Sequence, residues 1–255
     1  MTELLDDIHL TRYARHILLD DFGIEGQCAL LAAQVLVIGV GGLGCAVLPY
    51  LATAGIQQLT LVDGDIIEPG NLQRQILFQD NDLGQAKALV AQARLQQLNP
   101  SVSIQAIVQR AEQTLLDSLV AKADVVLDCT DNFATRQAIN QSCVRYRVPL
   151  ISGAVMRFAG QASVFDTRSE QSPCYACAFS AEAHLAEENC ALMGVFSPAV
   201  AMIGAVQAAQ ALKLLTGIGQ PLIGKLLRLD ALTLDWTSMQ LTRDHDCLVC
   251  KDRGV

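Results

Sequence analysis

Between Glu25 and Asp63 this chain carries no charged residue: the 37 positions from Gly26 to Val62 hold neither acid nor base. A stretch of that kind must lie away from water, in a membrane or in a protein core. Val35 to Ile56 has the length of about 20 residues that a membrane span requires. Yet Gly39, Gly41, Gly42 and Gly44 fall within six residues of one another, and Pro49 and Gly55 follow. Glycines that dense would ruin a spanning helix and suit a turn. A second apolar run, Cys190 to Val206, has only 17 residues and is interrupted by Pro198. Both runs are expected to be core rather than membrane.

The remaining composition narrows the partners. Among 255 residues, 26 acids stand against 18 bases, giving a formal charge of −8, whereas a phosphate backbone demands clustered Lys and Arg. Nucleic acid is therefore not expected. The N-terminus, MTELLDDIHLTRYARH, is acidic where a secretory signal is basic, so a cytoplasmic location is expected. Nine cysteines in a reducing compartment are expected to be metal ligands, nucleophiles or buried small residues rather than disulfides.

Alternating signals define the fold class. VLVIGV at 35–40 and QLTLVD at 58–63 read as strands flanking a buried helix from Gly44 to Gly55, which makes a βαβ unit. A helix is expected from about Asp82 to Leu98, with Leu83, Ala86, Leu89, Val90, Ala93 and Leu98 inside and Asn99-Pro100 as its stop. Strands follow at 102–107, 124–129 and 149–153, alternating with a helix whose inner face includes Leu115, Leu116 and Leu119 and another at about 133–147. The pattern then changes. QASVFD at 161–166 alternates like a half-exposed strand, a helix is expected near 198–216, and KLLRLDALTLDWTSMQL reads as an antiparallel hairpin. The expectation is one α/β domain over 1–255: a doubly wound, Rossmann-like, mostly parallel sheet extended by antiparallel C-terminal strands. Its nucleotide-binding half would span about 30–153 and its carrier-binding half 154–255.

Gly39-Val40-Gly41-Gly42-Leu43-Gly44 fits G-x-G-x-x-G between a strand and a helix, where backbone N–H groups can face phosphates. Asp63 ends the next strand, placed to accept hydrogen bonds from ribose hydroxyls. These two features indicate a nucleotide, and they would serve an NAD-dependent dehydrogenase equally well. Asn71-Leu72-Gln73-Arg74-Gln75 and Lys87 add more. Lys87 is the only lysine in the first 121 residues and stands at a helix start, where the dipole would favour an acid. With Arg74 it could hold a polyphosphate. Asp128-Cys129-Thr130-Asp131-Asn132 ends the fourth strand; Asp128 suits ordering the turn, and Asp131 suits Mg²⁺. The competing role for Asp131 is capping the helix at Phe133.

Cys174-x-x-Cys177 and Cys247-x-x-Cys250, 69 residues apart, form the four-thiolate set of a structural Zn²⁺ site. Cys28, Cys45, Cys129 and Cys143 lie in apolar surroundings and read as inert. Cys190 sits in a polar loop, where its thiol could act as a nucleophile, although neighbouring Glu187 and Glu188 would raise its pKa.

Together, Arg12-Tyr13-x-Arg15, GVGGLG, Asp63-x-Asp65, NLQRQ, Lys87, DCTDN, Cys190-x-x-x-Gly-Val and the two CxxC pairs resemble the ThiF/MoeB/HesA family, E1-like relatives of ubiquitin-activating enzymes, over about residues 10–250. The resemblance implies adenylation of the C-terminal glycine carboxylate of a small ubiquitin-like sulfur-carrier protein ending in Gly-Gly, with MgATP as substrate and pyrophosphate released. By matching motif, Gly39, Gly41, Gly42 and Gly44 would approach the phosphates. Asp63 would hold the ribose, Asn71, Arg74 and Lys87 would contact the phosphates, and Asp65, Gly70, Leu72, Gln73 and Asn132 would belong to the same nucleotide site. Asp131 would bind Mg²⁺, and Arg15, Arg74, Lys87 and Asp131 would be the catalytic set.

Arg15 would reach into the neighbouring subunit's site, which implies a homodimer. His16 and Gly70 depart from the family's usual glutamine and small hydroxyl residue, and neither removes a charge. With no rhodanese-like segment after residue 250, a separate sulfur donor is expected. Residues 152–161 and 230–233 look like MoeB, which activates the small subunit of molybdopterin synthase. Residues 17–21 and 131–136 look like ThiF, which activates the thiazole sulfur carrier. In the ThiF branch the cysteine matching Cys190 can link covalently to the carrier, whereas in the MoeB branch adenylation suffices. A non-catalytic scaffold for ubiquitin-like proteins is the non-enzyme alternative.

Overall fold

A computed structural model describes residues 5–179 and 194–253. Three short N-terminal helices, α1 (Asp7–Arg12), α2 (Ala14–Ile17) and α3 (Gly23–Leu30), precede the first strand. The alternating core then runs β1 (Gln34–Ile38), α4 (Gly42–Ala54), β2 (Gln58–Val62), α5 (Lys87–Leu98), β3 (Ser103–Ile107), α6 (Gln113–Val120), β4 (Val125–Asp128), α7 (Phe133–Tyr146) and β5 (Leu150–Met156). After it come β6 (Ala159–Phe165), α8 (Tyr175–Ala178), α9 (Ser197–Thr216) and the hairpin β7 (Lys225–Asp230) and β8 (Asp235–Gln240). One sheet of order β3-β2-β1-β4-β5-β6-β7-β8 results. It is parallel from β3 to β5 and antiparallel from β5 to β8.

Both faces of the parallel half are covered, which explains its unbroken apolar strands. Val35, Val37, Val125 and Leu127 pack towards α4, α5 and α9, and Leu36, Ile38 and Val126 pack towards α6 and α7. The charge-free stretch is therefore β1, α4 and β2, buried along almost their whole length. Helix α9 is long and apolar enough to cross a membrane by composition. In this fold it lies on α4, β4, β5 and β6. Gly204 lets it approach α4: a Cβ there would sit 2.5 Å from the Ala46 Cβ.

The helix expected from Asp82 begins instead at Lys87. Asp80–Asp82 form a single 3-10 turn, Leu83 is extended, and Gly84 takes φ 81°. That glycine turns the chain so that Ile66 and Ala86 pair as an isolated bridge. The inner face also differs: Lys87, Ala88, Val90, Ala91 and Leu95 are buried, whereas Leu83, Leu89 and Leu98 are exposed. The inward stripe is set by packing: Val90, Ala91 and Leu95, which recur at helical spacing, are the α5 residues that join the core. The first strand likewise ends at Ile38 rather than residue 40, since Gly39 at φ 91° leaves the strand conformation.

Replacing Gly204 with Val should force α4 and α9 apart and destabilise the fold by about 2 kcal/mol, a fall of roughly 5 °C in melting temperature. Calorimetry checks this; an unchanged Tm would mean that the interface absorbs the added methyls.

Candidate functional site

Three strands leave the sheet at one level. Ile38 of β1 pairs with Val62 of β2 on one side and Asp128 of β4 on the other. Gly39, Asp63 and Cys129 therefore open three adjacent turns. Between β1 and β4 the direction of strand progression reverses, and ligands of open α/β sheets bind outside the carboxyl ends at such a point. The turns touch: a Cβ on Gly39 would meet the Cys129 carbonyl oxygen at 2.7 Å, and one on Gly44 would meet the Gly39 carbonyl oxygen at 2.2 Å. Glycine is required at both positions because backbone occupies the side-chain volume.

Helix α4 starts at this turn with Gly41 as N-cap and no side-chain cap. Its first-turn N–H groups and dipole face outward, an arrangement that favours an anion. The Asp63 carboxylate binds the turn directly, accepting from Val40 N at 2.7 Å and from Asp65 N at 2.8 Å. Burial pushes its pKa up, while the two N–H donors and Lys87 pull it down. Asp65 accepts from Lys87 Nζ at 3.1 Å, and its carbonyl accepts from Lys87 N. Lys87 is only 7% exposed, so it is not a solvated surface cation.

The segment 68–75 closes one wall. Asn71 and Glu68 cap each other reciprocally, and Arg74 Nη1 donates to the Gly70 carbonyl at 2.9 Å. The Arg74 stem lies along Gly42, 3.6 Å from where a Cβ would be. Leu72 is half-buried, whereas Gly70 and Gln73 are exposed. Gln75 is a residue of this wall for which the sequence suggested no role. It is 3% exposed, its Oε1 has no partner among the described residues, and its Nε2 lies beside Gly41. The available signal was its place in NLQRQ, one helical turn after Asn71.

Opposite this wall, Asp128 is fully buried and orders its turn, as its position at the strand end suggested. It accepts from Thr130 N and Oγ1 and from Ser152 Oγ, and Arg136 Nε lies 3.8 Å from its Oδ2. Arg136 Nη2 also donates to the Thr130 carbonyl at 2.7 Å. Gln207 of α9 donates to the Asp128 carbonyl at 2.9 Å. The cap of α7 is Asn132, whose side chain accepts from Thr135 N; Asp131 is not the cap and stands exposed.

Arg15 is not part of this cluster. Its helix is anchored by Tyr13, whose ring packs on Gly55 and whose hydroxyl accepts from Asn99. That contact lies at the C-terminal end of α4, about 20 Å from the glycine turn. Cys190 lies outside the described residues. Burial pushes Cys45 up to about 12 and raises Cys129 and Cys143, as expected of inert thiols.

A second cluster joins the two CxxC pairs. The Sγ atoms of Cys174, Cys177, Cys247 and Cys250 all lie within 4.8 Å of one another. The separations are 3.8 Å for Cys174–Cys177, 3.8 Å for Cys174–Cys247 and 3.5 Å for Cys177–Cys250. A disulfide needs about 2.05 Å, whereas a tetrahedral ion with sulfur ligands at about 2.3 Å sets edges near 3.8 Å. The donor set fits such an ion. Asn140 approaches Cys174 Sγ at 3.7 Å, and Arg243 ties Cys250 to Glu170 through backbone carbonyls.

Arg136→Met should leave Asp128 buried beside fewer donors and reduce unfolding free energy by about 3 kcal/mol. Urea denaturation measures it, and a loss below about 1 kcal/mol would show that Ser152 and Thr130 hold the turn by themselves.

Residues 13–249 match the ThiF family. The chain is 45% identical over 249 residues to the molybdopterin-synthase adenylyltransferase of Salmonella typhimurium, covering 96% of this chain and 98% of that one. It is 46% identical over 246 residues to the sulfur carrier protein ThiS adenylyltransferase of Escherichia coli, covering 96% and 97%. Among solved structures, Escherichia coli MccB with ATP superposes with a TM-score of 0.84 at 26% identity, over 98% of this chain and 76% of that one. A match over nearly the whole length, on a fold with its glycine turn and switch point in place, means that the chain belongs to the ThiF family.

Proposed function

We propose that this chain is an adenylyltransferase that activates the C-terminal carboxylate of a small sulfur-carrier protein with MgATP. The observation that carries the reading is the meeting, at one sheet edge, of an uncapped helix N-terminus, a buried lysine, Arg74 and the exposed Asp131. A dehydrogenase needs the glycine turn and Asp63 but has no use for that cation set. In the proposed reaction a carboxylate oxygen of the carrier's terminal glycine attacks the α-phosphorus of ATP. A carboxyl-oxygen-to-phosphorus bond forms, the bond from the α-phosphorus to the bridging oxygen breaks, and pyrophosphate leaves with the electron pair. The nucleophile is already ionised at pH 7, so no general base is needed. Catalysis then rests on positioning and charge neutralisation.

The glycine-turn N–H groups, Asn71, Arg74 and Lys87 would hold phosphate oxygens. Asp63 would keep the turn in shape and meet the ribose, and Asp131 would hold Mg²⁺, which shields phosphate charge when bound. Arg15, distant from its own chain's glycine turn, would act in the partner's site of a homodimer. The four cysteines would hold structural Zn²⁺. The carrier is proposed to be the small subunit of molybdopterin synthase, on residues 152–161 and 230–233. The thiazole carrier is the second reading, favoured by residues 17–21 and 131–136. A separate protein would supply sulfur, and the enzyme would work in the cytoplasm.

Pyrophosphate exchange into ATP, with each carrier in turn, tests the activity; no exchange with either would refute it. Asp131→Ala should reduce exchange at least about 100-fold without changing Tm or metal content, and full activity would remove Asp131 from the mechanism. Mixing inactive Arg15→Ala and Asp131→Ala chains should restore about a quarter of wild-type activity through mixed dimers, each with one intact site. Failure to recover activity would place Arg15 elsewhere. Metal analysis should find one zinc per chain, and Cys250→Ser should lose it and lower Tm by roughly 5 °C or more. Retention of zinc in that variant would exclude the four-cysteine site.

A further inference from the structure

Arg157 occupies a position that its residue type does not favour. It lies in the two-residue connection between Met156 of β5 and Ala159 of β6, with φ 54°. The left-handed region is populated by glycine and, less often, by asparagine, and a long side chain there is strained. The backbone is held in place. Arg157 N donates to the Gly194 carbonyl, its own carbonyl accepts from Phe196 N, and Ala231 N donates to the Phe158 carbonyl. These bonds explain the strained backbone, because they tie the hairpin tip to the start of α9. They would form equally well with glycine, so they leave the arginine side chain unexplained.

That side chain is exposed, and it makes no ion pair or hydrogen bond among the described residues. In a chain with 26 acids and 18 bases, a guanidinium without an acid among the described residues is not a matter of short supply. Apolar residues flank it along the backbone. Phe158 follows it, Phe196 N bonds to its carbonyl, and the two rings lie 5.3 Å apart and are both partly exposed; Leu232, next after the Ala231 that bonds to Phe158, is exposed as well. Arginine and aromatic residues are the types enriched at binding hot spots. The tip projects from the same sheet edge as the nucleotide turn. Ser152 pairs with Asp128 at that turn, and five further residues of extended chain carry β5 to Arg157, roughly 16 Å away. An extended peptide whose C-terminus reaches the turn would have its fifth or sixth residue from the end, or the body to which it is joined, at this tip.

We infer that Arg157, flanked by Phe158, Phe196 and Leu232 at the hairpin tip, is a docking residue that pairs with a carboxylate side chain on the carrier protein just before its C-terminal tail. The inference rests on the adenylation reading and deepens it by naming the charge that the carrier must present. An enzyme of net charge −8 repels an acidic partner in general, so a local cation sets where such a partner lands.

The test compares the full-length wild-type chain with Arg157→Gly, Arg157→Asn and Arg157→Lys, using the carrier that supports exchange. The Gly and Asn variants relieve the strained φ and remove the cation. They should melt no lower than wild type, raise the carrier KM about ten-fold, and leave kcat and the MgATP KM within about two-fold. Arg157→Lys keeps the charge and should stay within about five-fold of the wild-type carrier KM. An unchanged carrier KM in the Gly and Asn variants overturns the inference while the adenylation reading stands. Lower melting together with a loss of kcat shows a structural role and also overturns it. No exchange by the wild-type chain with either carrier overturns the adenylation reading and this inference with it.

Discussion

The architecture depends on backbone lying against backbone where β1 and β4 end. Gly39 sits where a methyl group would strike the Cys129 carbonyl, and Gly44 sits against the carbonyl of Gly39 itself. This closeness brings the N-terminus of α4 and the turn bearing Asp131 to one edge. It also leaves no room for a side chain to shield the helix N–H groups from an incoming anion. The same contact limits what can pack above it. Val200 of α9 fills the space over Gly42, and Gln207 reaches past Gly153 to the Asp128 carbonyl. The helix that covers the site is thereby tied to the turn that shapes it.

Charge is distributed to suit that edge. Asp63 and Asp128 are largely or wholly buried, and both spend their oxygens on turn donors: Val40 and Asp65 N–H groups for one, Thr130 and Ser152 for the other. Buried carboxylates persist only where hydrogen bonds replace water. Lys87 and Asp131 differ from them. The first is buried beside an exposed carboxylate, and the second is exposed after an Asn that has taken over the capping role. Groups left with unused capacity at a binding edge are the ones available to a ligand.

Much of this was legible in the sequence. The order of strands and helices, the glycine turn, both CxxC pairs and the split between Asp128 and Asp131 followed from local chemistry and from resemblance to known relatives. Other features were not legible. The start of α5 is hidden because Leu83 and Ala86 continue an apolar spacing that Gly84 interrupts only through its positive φ. The burial of Lys87 came as a consequence, since a one-letter lysine reads as surface until its Asp65 partner is placed. Gln75 carries no signal of its own, because nothing local distinguishes a buried amide from an exposed one. Arg157 carries none beyond its motif, since strain is a property of φ and not of residue type.

The sequence by itself determined that a long uncharged segment must be core, that four glycines in six residues must form a turn, and that two pairs of thiols can meet as one metal-binding set. Each conclusion follows from short-range sterics or the cost of desolvation, which are properties of the residues themselves. The tertiary structure alone decided which faces those residues share: the Asp65–Lys87 pair, the Arg136 and Ser152 clasp on Asp128, and the distance of Arg15 from its own chain's glycine turn. Those relations depend on strand order and register, which are set by the packing of segments far apart in the chain rather than by any residue's intrinsic preference.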